Sequence, residues 1–330
     1  MLKPITWLAA AVALAGLANP AAAQNSTDAW PTRSVTLVVP FAAGGPVDTV
    51  ARIVTARLSE LLGQQFVVEN VGGAGGMIGS ARVAGATPDG YTLLLSGSAV
   101  LAISQTLHAK PLYNSVTDFE QVAVFADAAR VLITRKDIPA KTLPEFIDYA
   151  KAHQATMHYG SAGVGSGAHV CAVLLNLAMG TKIAHVPYRG SGPAMQDLIA
   201  GRIDFIAEQI ATALPHIRGG TINGVVTLGL NRAPGLENLP TADEQGVKGL
   251  DCGAWISFSF PKGTPQAIVH KLAKATNDAV NTPAVRERFK SIGVVVPAPE
   301  RRTPEYMTKF VADEIARWAV PIKASGVAAK

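Results

Sequence analysis

The sequence predicts an α/β protein built on a doubly wound, parallel-rich sheet. Three observations predict it. Short β-branched runs alternate with helical patterns, the order strand, glycine loop, helix occurs in each of two halves, and no solenoid-like period is visible. With 330 residues, 48% apolar and 16% charged, the chain can bury the core of two domains or of one large α/β unit, and it is too apolar for disorder. Two cysteines exclude a disulfide scaffold.

Met1 to Lys3 make a short positive start, Ile5 to Ala18 are apolar apart from Thr6, and Asn19-Pro20 breaks the run before Ala21-Ala22-Ala23. This reads as a signal peptide, residues 1–23, cleaved after Ala23. The apolar run is shorter than the ~20 residues a bilayer requires, so export to the bacterial periplasm is expected rather than anchoring. Ser34 to Phe41 is a β-branched strand, and Ala42-Ala43-Gly44-Gly45 leads into a helical pattern at Val47, Val50, Val54, Leu58 and Leu61. Pro46 suits the first helical turn, Asp48 complements the helix dipole, and Gly63 is placed to stop the helix. Phe66 to Glu69 is a second strand, followed by Gly72-Gly73-Ala74-Gly75-Gly76, a short helix from about Ile78 to Ala86, and a third strand, Tyr91 to Leu95, after the Asp89-Gly90 turn.

Val122 to Phe125 and Val131 to Thr134 are further strands, and Thr142 can cap a helix running through Lys151. The opening pattern then recurs. Thr156 to Tyr159 is a strand, residues 160–167 are a glycine loop, and Ala168 to Met179 are helical. Strands follow at Ile183 to Val186, Ile203 to Ala207, Val225 to Leu230 and Ala254 to Phe260, and helices at Pro265 to Val280, Pro283 to Ser291 and Pro304 to Trp318. No Gly/Ser/Pro-rich linker separates the halves, so strands are expected to cross between two bodies near 125 and again near 230, forming a hinge.

A strand that ends in small residues and opens a helix leaves free backbone N–H groups at the positive end of a dipole, which is an anion site. The sequence offers it at Phe41, Ala42, Ala43, Gly44 and Gly45, with Asp48 in the following turn, and again at Ser161, Ala162, Gly163, Gly165 and Ser166. Ser96 and Ser98, just past the third strand, join the ligand-binding candidates. So do His169 one turn into the later helix, Arg189 as a guanidinium fork at a strand end, and Glu208 and Gln209 at the end of another strand. The surplus of 29 basic over 24 acidic residues favours anionic ligands, and without a run of five like charges it argues against nucleic acid.

Gly163-Val164-Gly165-Ser166-Gly167-Ala168 fits a dinucleotide fingerprint, but the acidic residue due about 20 positions later is missing from Lys182 to Tyr188. No GxxxxGK[ST], GxSxG, HExxH or Cys-x-x-Cys occurs, so no catalytic group and no cofactor is predicted. His169 and Cys171 are two apart on a helix and point to different faces, which argues against a metal. Cys171 and Cys252, 81 positions apart, fit either a disulfide or two buried thiols.

Several segments together resemble one family. They are Trp30-Pro31 through Val39-Pro40-Phe41-Ala42-Ala43-Gly44-Gly45, Val68 to Gly76, Pro88 to Leu94, Tyr159 to Gly163, His185-Val186-Pro187-Tyr188-Arg189-Gly190 and Leu239-Pro240-Thr241. In this order they look like the periplasmic substrate-binding receptors of tripartite tricarboxylate transporters, the Bug family. The resemblance implies a two-lobed type II periplasmic binding protein fold, with residues 24–125 plus 231–330 as lobe 1 and 126–230 as lobe 2. It implies a monomer that closes its interlobe cleft on a small organic carboxylate (a di- or tricarboxylate or an aromatic acid) and presents it to membrane transporter subunits, without catalysis. By that match the loop at Phe41 to Gly45 holds a carboxylate and the loop at Ser161 to Ser166 contacts the ligand from the other lobe. Ala42, Arg189 and Glu208 stand where the family often has Pro, Lys and Asp, so a relative's substrate does not transfer. Two other classes share the cleft: a sensing subunit of a membrane signalling protein, and an exported enzyme.

Overall fold

The computed structural model describes residues 29–327, and the signal peptide expected at residues 1–23 lies outside them. Its elements form two sheets. The first has six strands: β1 (Val35–Val39), β2 (Phe66–Asn70), β3 (Thr92–Gly97), β4 (Phe119–Ala128), β10 (Ala254–Pro261) and β11 (Val294–Val295), in the order β11-β4-β10-β3-β1-β2. The second has five: β5 (Arg130–Arg135), β6 (His158–Ser161), β7 (Ala184–Pro187), β8 (Phe205–Gln209) and β9 (Ile222–Thr227), in the order β7-β6-β8-β5-β9.

Each sheet is sandwiched between helices, and the strand pattern shows how. Along β1 and β3, Leu37, Val39, Leu93 and Leu95 face a core shared with α1 (Pro46–Leu62), α8 (Gln266–Asn281) and α9 (Pro283–Ser291). The alternate residues Val38 and Leu94 face the core of α2 (Met77–Ala84), α3 (Ser104–Leu107) and α10 (Pro304–Ser325). Side chains alternate faces at period two, so a strand covered on both sides must be apolar at every position, which is why these runs read as unbroken. The second sheet repeats the plan. Leu132 and Phe205 pack under α4 (Leu143–His153) and α5 (Gly167–Met179), whereas Val131, Ile133 and Ile206 pack under α6 (Ser191–Ile199) and α7 (Ile210–Arg218).

The expectation of a parallel-rich sheet needs correction. The β1–β2, β1–β3, β6–β7 and β6–β8 pairs are parallel. The strands that carry the chain across between sheets are antiparallel to their neighbours: β4 and β10 in one sheet, β5 in the other. A strand entering from the opposite sheet arrives at the far end of its neighbours and can only pair head to tail. The outward crossing is abrupt, with Ala129 alone between β4 and β5. The return is long, and between β9 and β10 Ala242, Leu250 and Cys252 still pack in the second sheet's core. Cys252 is disulfide-bonded to Cys171 on α5, which settles the alternatives left open by the sequence.

Helix boundaries follow local chemistry. Pro46 occupies the first turn of α1, and Gly63 ends it at φ 70° with its N–H on the Ser59 carbonyl. Thr142 caps α4 by accepting from the Glu145 N–H, as the sequence predicts. The π-helical turn Ser98–Ile103 and α3 after it have no counterpart in the sequence reading, because a continuous apolar run carries no helical period.

Candidate functional site

Between the two sheets lies a cavity of about 50 Å³, which exceeds the volume of a single water site. Four helices begin at its wall. Gly45, Pro46 and Val47 open α1, and Ser166, Gly167 and Ala168 open α5. Ser191 opens α6, and Gln209 precedes α7. Three of them have no side chain bonded to their free N–H groups; at the fourth, α5, Ser166 Oγ accepts from the His169 N–H at 3.3 Å. Converging N-termini add their positive ends, so the cavity attracts an anion before any charged side chain is counted.

One cation reinforces this. Arg130, at the first position of β5, is buried and lines the cavity. Its Nε donates to the Cys252 carbonyl at 3.2 Å and its Nη1 to the Ala207 carbonyl at 2.8 Å, which fixes the guanidinium through backbone rather than through an acid. Burial pulls its pKa down to about 10, with the charge of Glu208 working the other way, so it stays cationic at neutral pH. Gly167 lies against it: a Cβ there would stand 2.6 Å from Arg130 Nη2.

Glu208, at the end of β8, is fully buried in the same wall. Burial raises its pKa, opposed by Arg130 and by the Gln209 N–H, which donates to Oε1 at 2.8 Å. The opposite wall is made of Phe41, Leu95 to Val100, Trp255 and Ile256, and carries no charge. There Ser96 Oγ is held 2.7 Å from Ser257 Oγ and 2.9 Å from Ser259 Oγ, and the Trp255 indole N–H donates to Glu314 at 2.7 Å.

Of the sequence-predicted candidates, Phe41, Gly45, Ser96, Ser98, Ala162, Ser166, Glu208 and Gln209 line this cavity. Ala42, Ala43, Gly44, Gly163 and Gly165 do not; their loops meet the other half of the molecule at the rim. The Ala42 N–H donates to the Arg189 carbonyl at 3.3 Å, and a Cβ on Gly75 would stand 2.4 Å from the Val164 carbonyl oxygen. The glycines allow backbone to meet backbone across the seam. Asp48 faces its own loop: it accepts from the Gly44 N–H, Asn70 Nδ2 and Arg52 Nε, each at 3.0 Å. Burial alone would raise its pKa, but these donors outweigh it and hold the carboxyl low.

The Arg189 side chain is exposed and outside the cavity lining. His169 and His185 lie beneath the Gly163 to Ser166 loop with ring centroids 4.4 Å apart, and burial holds both pKa values down to about 4. Ser161 Oγ is 2.7 Å from His185 Nε2, which has the composition of a nucleophile and base. Ser161 is completely buried and outside the lining, so the pair braces the loop and does not face the cavity. Arg130, Ser191 and Trp255 are absent from the sequence-based set. Nothing around Arg130 marks it, because an arginine opening an apolar strand reads as a strand end. Among the described residues no cluster of three or more His, Cys, Asp or Glu could hold a metal.

Comparison with known proteins places this geometry. Residues 50–327 match the model of the tripartite tricarboxylate transporter family receptor. Three solved structures are similar over their full or nearly full lengths. The periplasmic binding protein BugD is 36% identical with a TM-score of 0.88, covering 91% of this chain and 100% of its own. MatC from Rhodopseudomonas palustris, solved with malate bound, is 39% identical with a TM-score of 0.86 over 88% and 99%. A further R. palustris protein, solved with adipate, is 34% identical with a TM-score of 0.86 over 91% and 99%.

Proposed function

The chain belongs to the tripartite tricarboxylate transporter receptor family, and from that premise we propose that it is a periplasmic receptor that captures an organic carboxylate between its lobes and delivers it to a membrane transporter. The observation that carries this reading is the convergence of four helix N-termini and the buried Arg130 on one cavity between the sheets. Free N–H groups and a fixed guanidinium supply directed donors to carboxylate oxygens, and burial strengthens each of them. Malate in one relative and adipate in another are carboxylates of the class such a site would take.

Capture and release follow from topology. The lobes of this reading are the six-stranded sheet with its helices and the five-stranded sheet with its helices, and the strand crossings at Ala129 and between Thr227 and Ala254 act as the hinge. A ligand that bridges Arg130 on one wall and the start of α1 on the other gains its full set of contacts only when the walls meet, so binding favours the closed form. The transporter then has a surface to read: the seam formed by the Ala42 to Gly44 and Arg189 to Gly192 loops.

Calorimetric titration tests the reading. The chain from Gln24 onward, unfolded and refolded to strip carried ligand, is titrated with mono-, di- and tricarboxylates and aromatic acids. Saturable binding of at least one acid without its consumption supports the receptor. Silence across the panel, or turnover of a titrant, overturns it.

A further inference from the structure

The cavity holds a buried acid that the protein leaves half satisfied. Glu208 is fully buried, its Oε1 accepts from the Gln209 N–H at 2.8 Å, and its Oε2 has no hydrogen-bond partner. Arg130 does not pair with it. In the antiparallel β5–β8 register Glu208 stands opposite Val131, so the Arg130 and Glu208 side chains leave opposite faces of the sheet, and the guanidinium is bonded to the Cys252 and Ala207 carbonyls. The helices packed on the Glu208 face supply only hydroxyls: Ser191 of α6 and Thr212 of α7 lie near enough to favour its charged form, but neither is bonded to Oε2. Besides Arg130 and Glu208, no ionisable side chain among the described residues lines the cavity, and the wall from the six-stranded sheet carries no charge.

A ligand carboxylate drawn in by the helix N-termini therefore meets a second carboxyl group with a bare oxygen. Two carboxylates with no donor between them repel, and in a buried site such a pair retains one proton and shares it. We propose, resting on the receptor reading above, that Glu208 takes up a proton from solvent when the cavity closes on its ligand, and donates Oε2–H to a ligand carboxylate oxygen. The proton turns Oε2 from an orphan acceptor into a donor, which an ionised carboxylate cannot be. It also removes the charge that burial opposes. When the walls part, water reaches Oε2, and the carboxyl ionises and returns the proton to solvent. Capture of the acid and of one proton is then a single event, so loading is favoured as the medium turns acidic.

The refolded chain is titrated by calorimetry with the acids of the panel above, malate and adipate included, in buffers of different ionisation enthalpy between about pH 6 and about pH 8.5. In this window the ligand carboxyls are ionised, Arg130 with its pKa at about 10 stays charged, and His169 and His185 with theirs at about 4 stay neutral, so Glu208 is the lining group that titrates. Uptake of about one proton per ligand is expected, with Kd rising about 10-fold per pH unit. Glu208→Gln carries a neutral donor of the same shape. It is expected to bind without proton uptake, with a Kd that varies by less than about 2-fold across the window and lies about 10-fold or more below that of the wild type at its alkaline end. If that variant does not fold, the wild-type proton count decides alone. Three results would overturn the inference: binding without proton uptake, uptake that persists in folded Glu208→Gln, or binding by that variant no tighter than wild type at the alkaline end. Failure of every acid to bind would sink the receptor reading and this inference together, whereas binding without proton uptake sinks only this one.

Discussion

The two walls of the cavity are built alike and charged differently. Each contributes strand ends and helix starts from a helix-covered sheet, yet the wall from the six-stranded sheet holds only hydroxyl, indole, apolar and backbone groups, while the five-stranded sheet contributes both Arg130 and Glu208. The uncharged wall offers what any carboxylate accepts, N–H groups at a helix start and hydroxyls already fixed by their neighbours. The charged wall is tuned by two side chains whose burial makes every contact count. On the receptor reading, affinity for carboxylates as a class is shared between the walls, and discrimination among them falls mainly to the charged one.

Removing the charge should break the contrast most completely. Arg130→Gln is expected to weaken carboxylate binding by about 2–5 kcal/mol, roughly 30-fold to several thousand-fold in Kd, whereas Ser96→Ala in the opposite wall should cost under about 1 kcal/mol. Trp255 lines the cavity, so its fluorescence can follow both titrations. Next comes the scaffold of the charged wall. Replacing Cys171 and Cys252 by Ser removes a cross-link spanning 81 residues, and a loss of about 4 kcal/mol in unfolding free energy is expected by denaturant titration. The Cys252 carbonyl holds Arg130 Nε, so the same variant should also bind more weakly.

A finer comparison uses one methyl group on each side. Gly167→Ala drives a Cβ to 2.6 Å from Arg130 Nη2 and is expected to weaken binding by about 1–2 kcal/mol. Gly45→Ala places its Cβ no closer than 3.6 Å to any neighbour and should stay within about 0.5 kcal/mol of wild type.

Acid should also act on the charged side. His169 and His185 are neutral when folded, with pKa values near 4 against an ordinary 6.5. The unfolded chain therefore takes up protons first as the pH falls, so their contribution to stability is complete above about pH 6.5 and is lost progressively towards pH 4. Denaturation curves at intervals between pH 7 and 4.5 would show the slope, and His185→Gln should flatten it. The smallest effect is expected at the rim. Arg189→Ala removes an exposed side chain whose backbone makes the seam contact, and it should change diacid affinity by less than about 2-fold. A larger loss would return Arg189 to the role the sequence expects of it.

Much of the site was legible before any coordinates. Phe41, Gly45, Ala162 and Ser166 follow from the rule that small residues between a strand and a helix expose N–H groups, and all four line the cavity. Ser161 and Asp48 satisfy the same pattern but turn inward, because each has a closer partner, His185 in one case and the Gly44 N–H in the other. The two arginines exchange places for a reason no motif records. Arg189 sits among glycines and looks available, and its side chain ends in solvent; Arg130 looks like the edge of an apolar strand, and it is the buried charge.

By itself the sequence determined the order of most elements, short of the π-helical turn, α3 and α7, together with the two strand-loop-helix units and the family, because these depend on spacing of two or 3.6 residues and on glycine and proline at particular turns. Tertiary structure decided the direction in which the crossing strands pair, the joining of Cys171 to Cys252, and which charges line the cavity. Residues 130, 167, 208 and 252 become neighbours only when β5, α5, β8 and the return crossing pack together. Burial of a charge is a property of that convergence and has no local signature along the chain.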